Sequence, residues 1–237
     1  MDEAEELPQD GVQVRRDLAR SGRLNWKSLK SGHSPLVVSF FTAGFYLREA
    51  FELMRSCQSH EVDFHLLEVA DESDWLVNVN RKPDFLREMS ALYPFRPLLW
   101  LDADARVRKY LSPAMQEKIL DVTVAYCKPG GSVCDATIFL QPGEERDRLL
   151  EAWSDMVKSD PKGEELPPAI AEVGAPAQFY FEEAVKDTGV SSLVLPDEWC
   201  WLYDFSRDRE GTPVDINFEP VIEQMQANRW GKKLARG

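Results

Sequence analysis

The sequence predicts an α/β fold with a mostly parallel central sheet flanked by helices. Three consecutive segments support this prediction. The run SPLVVSFFTAG (34–44) is apolar and rich in β-branched and aromatic residues, as buried strands are, and it ends at a glycine. FYLREAFELMRSCQSH (45–60) has apolar residues at helical spacing, and VDFHLLEVA (62–70) alternates in part like a strand. A strand, a helix and a second strand in this order favour a parallel sheet with a right-handed crossover.

The following segments continue the alternation of strands and helices to about residue 126. Residues 71–82 predict a loop or short helix, and PDFLREMSALYP (83–94) predicts a helix that begins at one proline and ends before the next. PLLWLDADA (97–105) predicts the third strand. The remaining predicted elements are helices over 112–120, 144–160 and 176–187, strands over 121–126, 133–143 and 191–199, and a polar linker over 161–168.

The length of 237 residues fits a single domain, which we expect over 35–230. Residues 1–34 are polar and charged, and they predict an N-terminal arm with a short helix near 12–20. Residues 231–237 predict a basic C-terminal tail.

Composition and charge limit the classes of function. Hydrophobic residues make up 43% of the chain and charged residues 29%, so a packed core is expected. The net charge of −13 argues against broad, non-specific binding to nucleic acid or to anionic membranes. The cluster of Arg229, Lys232 and Lys233 near the C-terminus leaves a local phosphate-binding patch open, with a solvated tail as the alternative.

The 4 cysteines and 3 histidines have no metal-ligand spacing, so a Cys/His zinc site is not expected. Free thiols in a reducing compartment are the better interpretation. The acidic start MDEAEELPQDG does not resemble a signal peptide, and no stretch has the length of a membrane span. The sequence therefore predicts a cytoplasmic protein without a membrane partner or an obligatory protein partner.

Two carboxylates, Asp102 and Asp104, stand at the end of the third predicted strand. Alternation along a strand places both side chains on one face, where like charges repel unless a cation lies between them. A helix cap or a solvated strand end is the alternative. Ligands of open α/β sheets bind beyond the carboxyl ends of strands, and Thr42 and Gly44 end the first strand at the same edge. This placement favours a functional site.

Three chemistries use an apolar strand that ends in Asp-x-Asp. In sugar transfer from a nucleotide diphosphate sugar, the carboxylates bind Mg²⁺ or Mn²⁺, and the metal stabilises the leaving diphosphate. A haloacid-dehalogenase-type phosphatase would use Asp102 as nucleophile, but Arg106 occupies the position where that class has Thr or Val. Polymerase-like two-metal chemistry requires a longer and less acidic chain. Sugar transfer fits best.

The chain resembles the GT-A-fold glycosyltransferases, which are Rossmann-like nucleotide-diphospho-sugar transferases, over about residues 35–230. VVSFFTAGFYLREAFELMRSC is similar to the nucleotide-binding opening of that family, and KPDFLREMSALYPFRPLLWLDADARVRKYLSP to its core signature with the DxD motif. DATIFLQPGEERDRLLEAWSDM, PAQFYFEEAV with SSLVLPDEW, and PVIEQMQANRWGKK are similar to its later elements.

The resemblance implies a role for each candidate site residue. Asp102 and Asp104 would bind the metal, and Asp102 would also contact the donor. Thr42, Gly44 and Tyr46 would contact the base and ribose, and Lys82 the phosphate, although a strand-to-helix turn and a solvated lysine are the alternatives. Asp135 and Gln178 are the candidate catalytic residues, with a turn-forming role as the alternative for Asp135.

The chain departs from the family pattern at two positions. It has Ala177-Gln178 where many members have Asp-Gln, and Glu223-Gln224 where many have a metal-binding histidine. Gln224 could offer a neutral oxygen in its place. Other candidates are Trp75 beside the nucleotide, one of Glu182 and Glu183, and an acceptor platform of Trp199 and Trp201; core packing and solvation are their alternatives.

The sequence thus predicts a metal-dependent glycosyltransferase that moves a hexose or pentose from a nucleotide diphosphate sugar to a hydroxyl group. A UDP-sugar is the expected donor, and Mn²⁺ or Mg²⁺ is the expected cofactor. The acceptor remains open among a protein, a small molecule and a hydroxymethylated base in viral DNA. Two alternatives remain: a catalytically inactive nucleotide-sugar-binding module, and the phosphatase that uses Asp102.

Overall fold

A computed structural model describes residues 13–17, 23–30, 35–110, 117, 119–131, 133–166, 176–202 and 218–225. The strands are β1 Gln13–Asp17, β2 Arg23–Ser28, β3 Leu36–Thr42, β4 Phe64–Val69, β5 Leu98–Leu101, β6 Ala105–Val107, β7 Val124–Cys127, β8 Cys134–Leu140, β9 Ser192–Leu195, β10 Trp201–Leu202 and β11 Ile222–Gln224. The helices are α1 Phe45–Ser59, α2 Trp75–Val79, α3 Lys82–Leu92, α4 Glu144–Ser159 and α5 Pro176–Thr188.

The described strands form a large sheet and a small one. The large sheet has 8 strands in the order β1-β2-β4-β3-β5-β8-β7-β9. Its centre, β4-β3-β5, is parallel, and β2 and β8 run against the direction that the other strands share. The small sheet has the order β10-β11-β6. The predicted α/β fold with a mostly parallel sheet is confirmed.

Both faces of the large sheet are covered, and this explains the continuous apolar run in β3. Val37 and Phe41 face one cluster of buried side chains, to which α1 contributes Leu53 and Met54. Leu36 and Val38 face the opposite cluster, to which α3, α4 and α5 contribute. The period of two along the strand therefore divides its side chains between two cores.

The N-terminal region differs from the prediction. The short helix expected near 12–20 is wrong, because Gln13–Asp17 forms β1, which pairs antiparallel with β2. β2 in turn pairs antiparallel with β4. The sheet therefore begins before residue 35, inside the segment predicted as an arm.

The third predicted strand is shorter than the sequence suggested. β5 ends at Leu101, and the backbone NH of Ala105 donates to the carbonyl of Asp102 over 2.9 Å in the turn that follows. The two aspartates are therefore turn residues, so strand alternation does not place their side chains on one face.

Two predictions fall on parts of the chain that the structure leaves out. The basic tail over 231–237 lies outside the described residues, as does most of the helix predicted over 112–120. Among the helices that are described, none has both the length and the apolar character needed to cross a bilayer.

Candidate active site

A cavity of about 150 Å³ opens where β3 and β5 end and α2 and α3 begin. It has an aromatic and an acidic part. The aromatic and apolar lining residues are Phe40, Phe41, Tyr46, Trp75, Val79, Trp100 and Ala103, and the polar ones are Thr42, Asn78, Lys82, Asp102 and Asp104. Adjacent parallel strands bring their carboxyl ends to one edge of the sheet, and this explains why Thr42 and the aspartates meet.

Three backbone hydrogen bonds fix the turn that carries Asp102 and Asp104. The turn is closed by the bond between Ala105 and Asp102. The NH of Asp102 donates to the carbonyl of Ala136 in β8 over 3.1 Å, and the NH of Met225 donates to the carbonyl of Asp104 over 3.2 Å. Neighbouring segments far away in sequence thus hold the acidic turn on both sides.

Lys82 is the buried cation of the site. Its side chain is 5% exposed, and its ammonium lies 3.1 Å from Oδ1 of Asp102 and 2.8 Å from Oδ2 of Asp135. It also donates to the carbonyl of Asp135 over 2.9 Å. An ammonium has three protons, so each of its donors has an acceptor within the protein.

The electrostatic effect of this arrangement on Lys82 has two opposing parts. Burial lowers the pKa of the ammonium, and the carboxylates of Asp102 and Asp135 raise it by more, so the pKa of Lys82 lies above its ordinary value. Lys82 is therefore charged at neutral pH and compensates the carboxylates around it.

Asp102 is held through one of its two oxygens. Lys82 and the indole NH of Trp100, the latter over 2.9 Å, both donate to Oδ1. Within the described part of the chain, Oδ2 receives no hydrogen bond. The side chain of Asp102 is 37% exposed, so a ligand can reach it from the cavity.

Tyr46 lies close enough to the acidic turn to respond to its charge. Burial raises the pKa of its phenol, and the carboxylates of Asp104 and Asp102 raise it further. The hydroxyl therefore keeps its proton and can donate a hydrogen bond to a ligand in the cavity.

Gln224 of β11 stabilises the segment that holds the turn of Asp102 and Asp104. It is buried, and its amide Nε2 donates to the carbonyl of Ala136 over 2.9 Å and to Oγ1 of Thr137 over 3.0 Å. The Ala136 carbonyl thus accepts from both Gln224 and Asp102. The other amide atom of Gln224, Oε1, is buried with no hydrogen-bond partner among the described residues.

The structure brings most of the predicted site residues together. Thr42, Tyr46, Lys82, Asp102 and Asp104 line the cavity, Trp75 lines it as well, and Asp135 contacts Lys82. Gly44 lies in the turn before α1 with a φ of +84°, a conformation that favours glycine.

The candidate catalytic residue Gln178 has a different place. It lies half-buried on α5 and is not among the residues that line the cavity. Of the remaining aromatic candidates, Trp199 is buried in the core and Trp201 packs edge-on against Phe218 at 5.0 Å. Glu182 pairs with Lys128 on the protein surface.

Sequence reasoning missed Asn78 and Trp100. Trp100 lies in the apolar run of β5, and nothing in that run signals that its indole NH donates to Asp102. Asn78 lies on α2, and its amide binds Asp71 and the backbone of Glu72. The sequence left that segment undecided between loop and helix, so it carried no signal for Asn78.

The described residues contain no cluster of three or more His, Cys, Asp or Glu side chains placed to bind a metal. Asp102 and Asp104 are the two carboxylates that line the cavity.

Several solved structures share this architecture. A glycosyltransferase involved in the glycosylation of the major capsid of PBCV-1 superposes with a TM-score of 0.56 and 13% sequence identity, covering 86% of this chain and 100% of that one. The apo form of the glycosyltransferase GlyE of Streptococcus pneumoniae TIGR4 superposes with a TM-score of 0.52 and 13% identity over 84% of this chain. The chain spans 59% of the length of that GlyE structure.

No protein-family model and no curated protein matches the sequence. The similarity to these structures therefore shows a shared fold, and at 13% identity it does not extend to activity or substrate. The chain has a GT-A-like glycosyltransferase fold, as its sequence predicts.

Proposed function

We propose that this chain is a glycosyltransferase that takes a sugar from a nucleotide diphosphate sugar, with a divalent cation at Asp102 and Asp104. One observation carries the proposal. The two carboxylates line a single cavity at the carboxyl ends of β3 and β5 in a GT-A-like fold, beside an aromatic surface that suits a nucleotide.

The residues of the cavity fit a cation that the substrate helps to bind. Mg²⁺ is usually held by one or two carboxylates together with substrate phosphates, so a complete protein cage is not needed. Asp102 and Asp104 would bind it, and the buried Oε1 of Gln224 is a neutral oxygen near the same turn. When bound, the cation would stabilise negative charge on the leaving diphosphate.

A UDP-sugar is the proposed donor. The aromatic part of the cavity, whose volume is about 150 Å³, offers flat surfaces for a nucleotide base. Tyr46 and Trp75 would pack against the base, and Thr42 and Gly44 would contact the base or ribose.

Lys82 and Asp135 would orient the sugar half of the donor. Because all three ammonium donors of Lys82 bind protein acceptors, we assign it the positioning of Asp102 and Asp135 rather than the predicted phosphate contact. The remaining carboxylate oxygen of Asp135 would accept a hydrogen bond from a hydroxyl group of the sugar. The catalytic role of Gln178 stays a prediction.

The acceptor is proposed at the level of class. One protein with this fold is a glycosyltransferase involved in the glycosylation of the major capsid of PBCV-1, so a protein acceptor is the first to test. A small molecule comes next. The charge of −13 makes a hydroxymethylated DNA base the least favoured of the three. The cytoplasmic location also stays a prediction.

A donor screen tests the proposal. UDP-, GDP-, CMP- and TDP-sugars are each added with Mn²⁺ or with EDTA, and the melting temperature and the release of nucleoside diphosphate are measured. A ligand at 100 times its Kd adds about 2.7 kcal/mol, which corresponds to roughly 5–10 °C for a chain of this size. We expect such a shift for one donor with metal.

Matched variants locate the effect. Asp102→Asn and Asp104→Asn should each abolish the metal-dependent shift and lower donor turnover by about 100-fold or more. Asp155→Asn, at an exposed position on α4, should leave both unchanged.

Two results would overturn the proposal. Tight donor binding without turnover on any acceptor would favour the nucleotide-sugar-binding module. Hydrolysis of a phosphate ester through a phosphorylated Asp102, with no response to any donor, would favour the phosphatase, against which the fold already argues.

A further inference from the structure

Three cysteine thiols meet beside the proposed active site, and the proposed transfer uses none of them. Cys127 and Cys134 stand opposite each other in the pairing of β7 with β8. The sulfurs of Cys200 and Cys134 lie 3.6 Å apart, within hydrogen-bond distance of each other. All three are free thiols.

The thiol cluster, defined as Cys127, Cys134 and Cys200, touches the residues that shape the site. Cys134 directly precedes Asp135, whose carboxylate and carbonyl both bind Lys82. Cys134 also precedes Ala136 and Thr137 in the same strand, and both of these residues accept hydrogen bonds from Gln224. A structural change in the thiol cluster would therefore reach the groups that hold the acidic turn through neighbouring residues.

We propose that Cys134 and Cys200 are an oxidation site, which a small-molecule disulfide such as oxidised glutathione converts into an intramolecular disulfide. Accessibility assigns the first step to Cys134, because it is half-buried while Cys127 is 0% and Cys200 1% exposed. The contact between the two sulfurs assigns Cys200 as the second partner.

The chemistry balances in two exchange steps. The sulfur of Cys134 loses its proton and attacks one sulfur of glutathione disulfide, which breaks the S–S bond and releases one glutathione thiol. The sulfur of Cys200 then loses its proton and attacks the sulfur of Cys134, which forms the Cys134–Cys200 bond and releases the second glutathione. The two cysteines lose two electrons and two protons, and the oxidant gains both.

The reaction should be slow. Hydrogen bonding to Cys200, followed by burial, raises the pKa of the Cys134 thiol well above its ordinary value. Because the thiolate is the reacting form, the incubation must last hours rather than minutes.

Oxidation should also change the proposed site. Closing the bond brings the sulfurs from 3.6 Å to about 2.05 Å, and this moves the start of β8 relative to the segment before β10. Asp135 follows Cys134 directly, so its contact with Lys82 shifts as well. This second consequence rests on the proposed function, and we expect donor turnover to fall at least tenfold.

Mass spectrometry tests the disulfide independently of any activity. The full chain is incubated with oxidised glutathione, unfolded in an alkylating agent, digested and mapped. We expect a single cross-linked peptide that joins Cys134 to Cys200, with Cys57 alkylated as the internal control. Cys200→Ser should lose the cross-link and retain glutathione on Cys134, and Cys57→Ala should behave like the unaltered chain.

Two outcomes would overturn the proposal: four alkylated cysteines, or a cross-link of any pair other than Cys134 with Cys200. The activity measurement is separate. Turnover that falls on oxidation, recovers with dithiothreitol and does not respond in Cys200→Ser supports the effect on the site. Unchanged turnover in the cross-linked chain overturns that effect, while a chain without turnover before oxidation counts against the proposed function alone.

Discussion

Replacing Lys82 by methionine tests the electrostatic design of the site most directly. Methionine has a similar length but no charge, so Asp102 and Asp135 lose their shared cation and stand near each other as like charges. Removing one partner of a buried ion pair typically costs 3–5 kcal/mol. Because the side chain of Asp102 is 37% exposed and that of Asp135 14%, we expect the lower end, about 3 kcal/mol.

The pH dependence of this loss has a defined sign. The folded-state pKa of Lys82 is raised, so its contribution is fully present below the unfolded value of about 10.4 and is lost as pH rises through the folded value. The difference in the free energy of unfolding between the unaltered chain and Lys82→Met should therefore be constant from pH 7 to 9. It should shrink toward pH 4, because the pKa of Asp102 is raised by burial and its protonation removes the unpaired charge in Lys82→Met.

Urea unfolding followed by tryptophan fluorescence measures the loss, which corresponds to a melting temperature lower by roughly 6–12 °C. Lys158→Met is the matched control, because Lys158 pairs with Asp84 at 2.9 Å but is 55% exposed, and such pairs contribute under about 1 kcal/mol. Adding Asp135→Asn to Lys82→Met should recover about 1 kcal/mol or more. If Lys82→Met costs no more than Lys158→Met, the reasoning is refuted.

Three further predictions concern the rest of the described chain. Burial, and to a smaller extent the charge of Lys27, lowers the pKa of His65 to about 4. As the pH falls from 7 to 5, the unfolded chain therefore binds a proton at this histidine before the folded chain does, and the free energy of unfolding falls by about 2 kcal/mol. Urea midpoints should show that His65→Gln abolishes this drop and that His60→Gln retains it. Trp75→Ala should weaken donor binding about 10- to 100-fold, since an aromatic platform contributes about 1–3 kcal/mol per base. Titration calorimetry measures this loss, and an equal loss in Val77→Ala would contradict the prediction. Gly44→Ala should cost about 1 kcal/mol in thermal unfolding through its φ of +84° alone, because an added Cβ meets no atom within 4 Å.

The sequence by itself determined the parts of the fold that depend on local periodicity. The apolar run of β3, the helical spacing of α1 and the strand β4 predicted a parallel unit, because each pattern reports burial of one face or two. It also placed Thr42 and the two aspartates at one edge, since parallel strands end on the same side. These inferences need no knowledge of distant contacts.

The tertiary structure decided what depends on pairing between distant segments. A polar strand such as β2 joins the sheet because β4 offers it an edge, and its own composition does not signal this. The acidic turn is held by Ala136 and Met225, and Lys82 meets Asp135 across 53 positions of sequence. Hydrogen bonds and ion pairs of this kind leave no periodic trace in a sequence. Most of the candidate residues could therefore be named from the sequence, but the contacts between them depend on the tertiary structure.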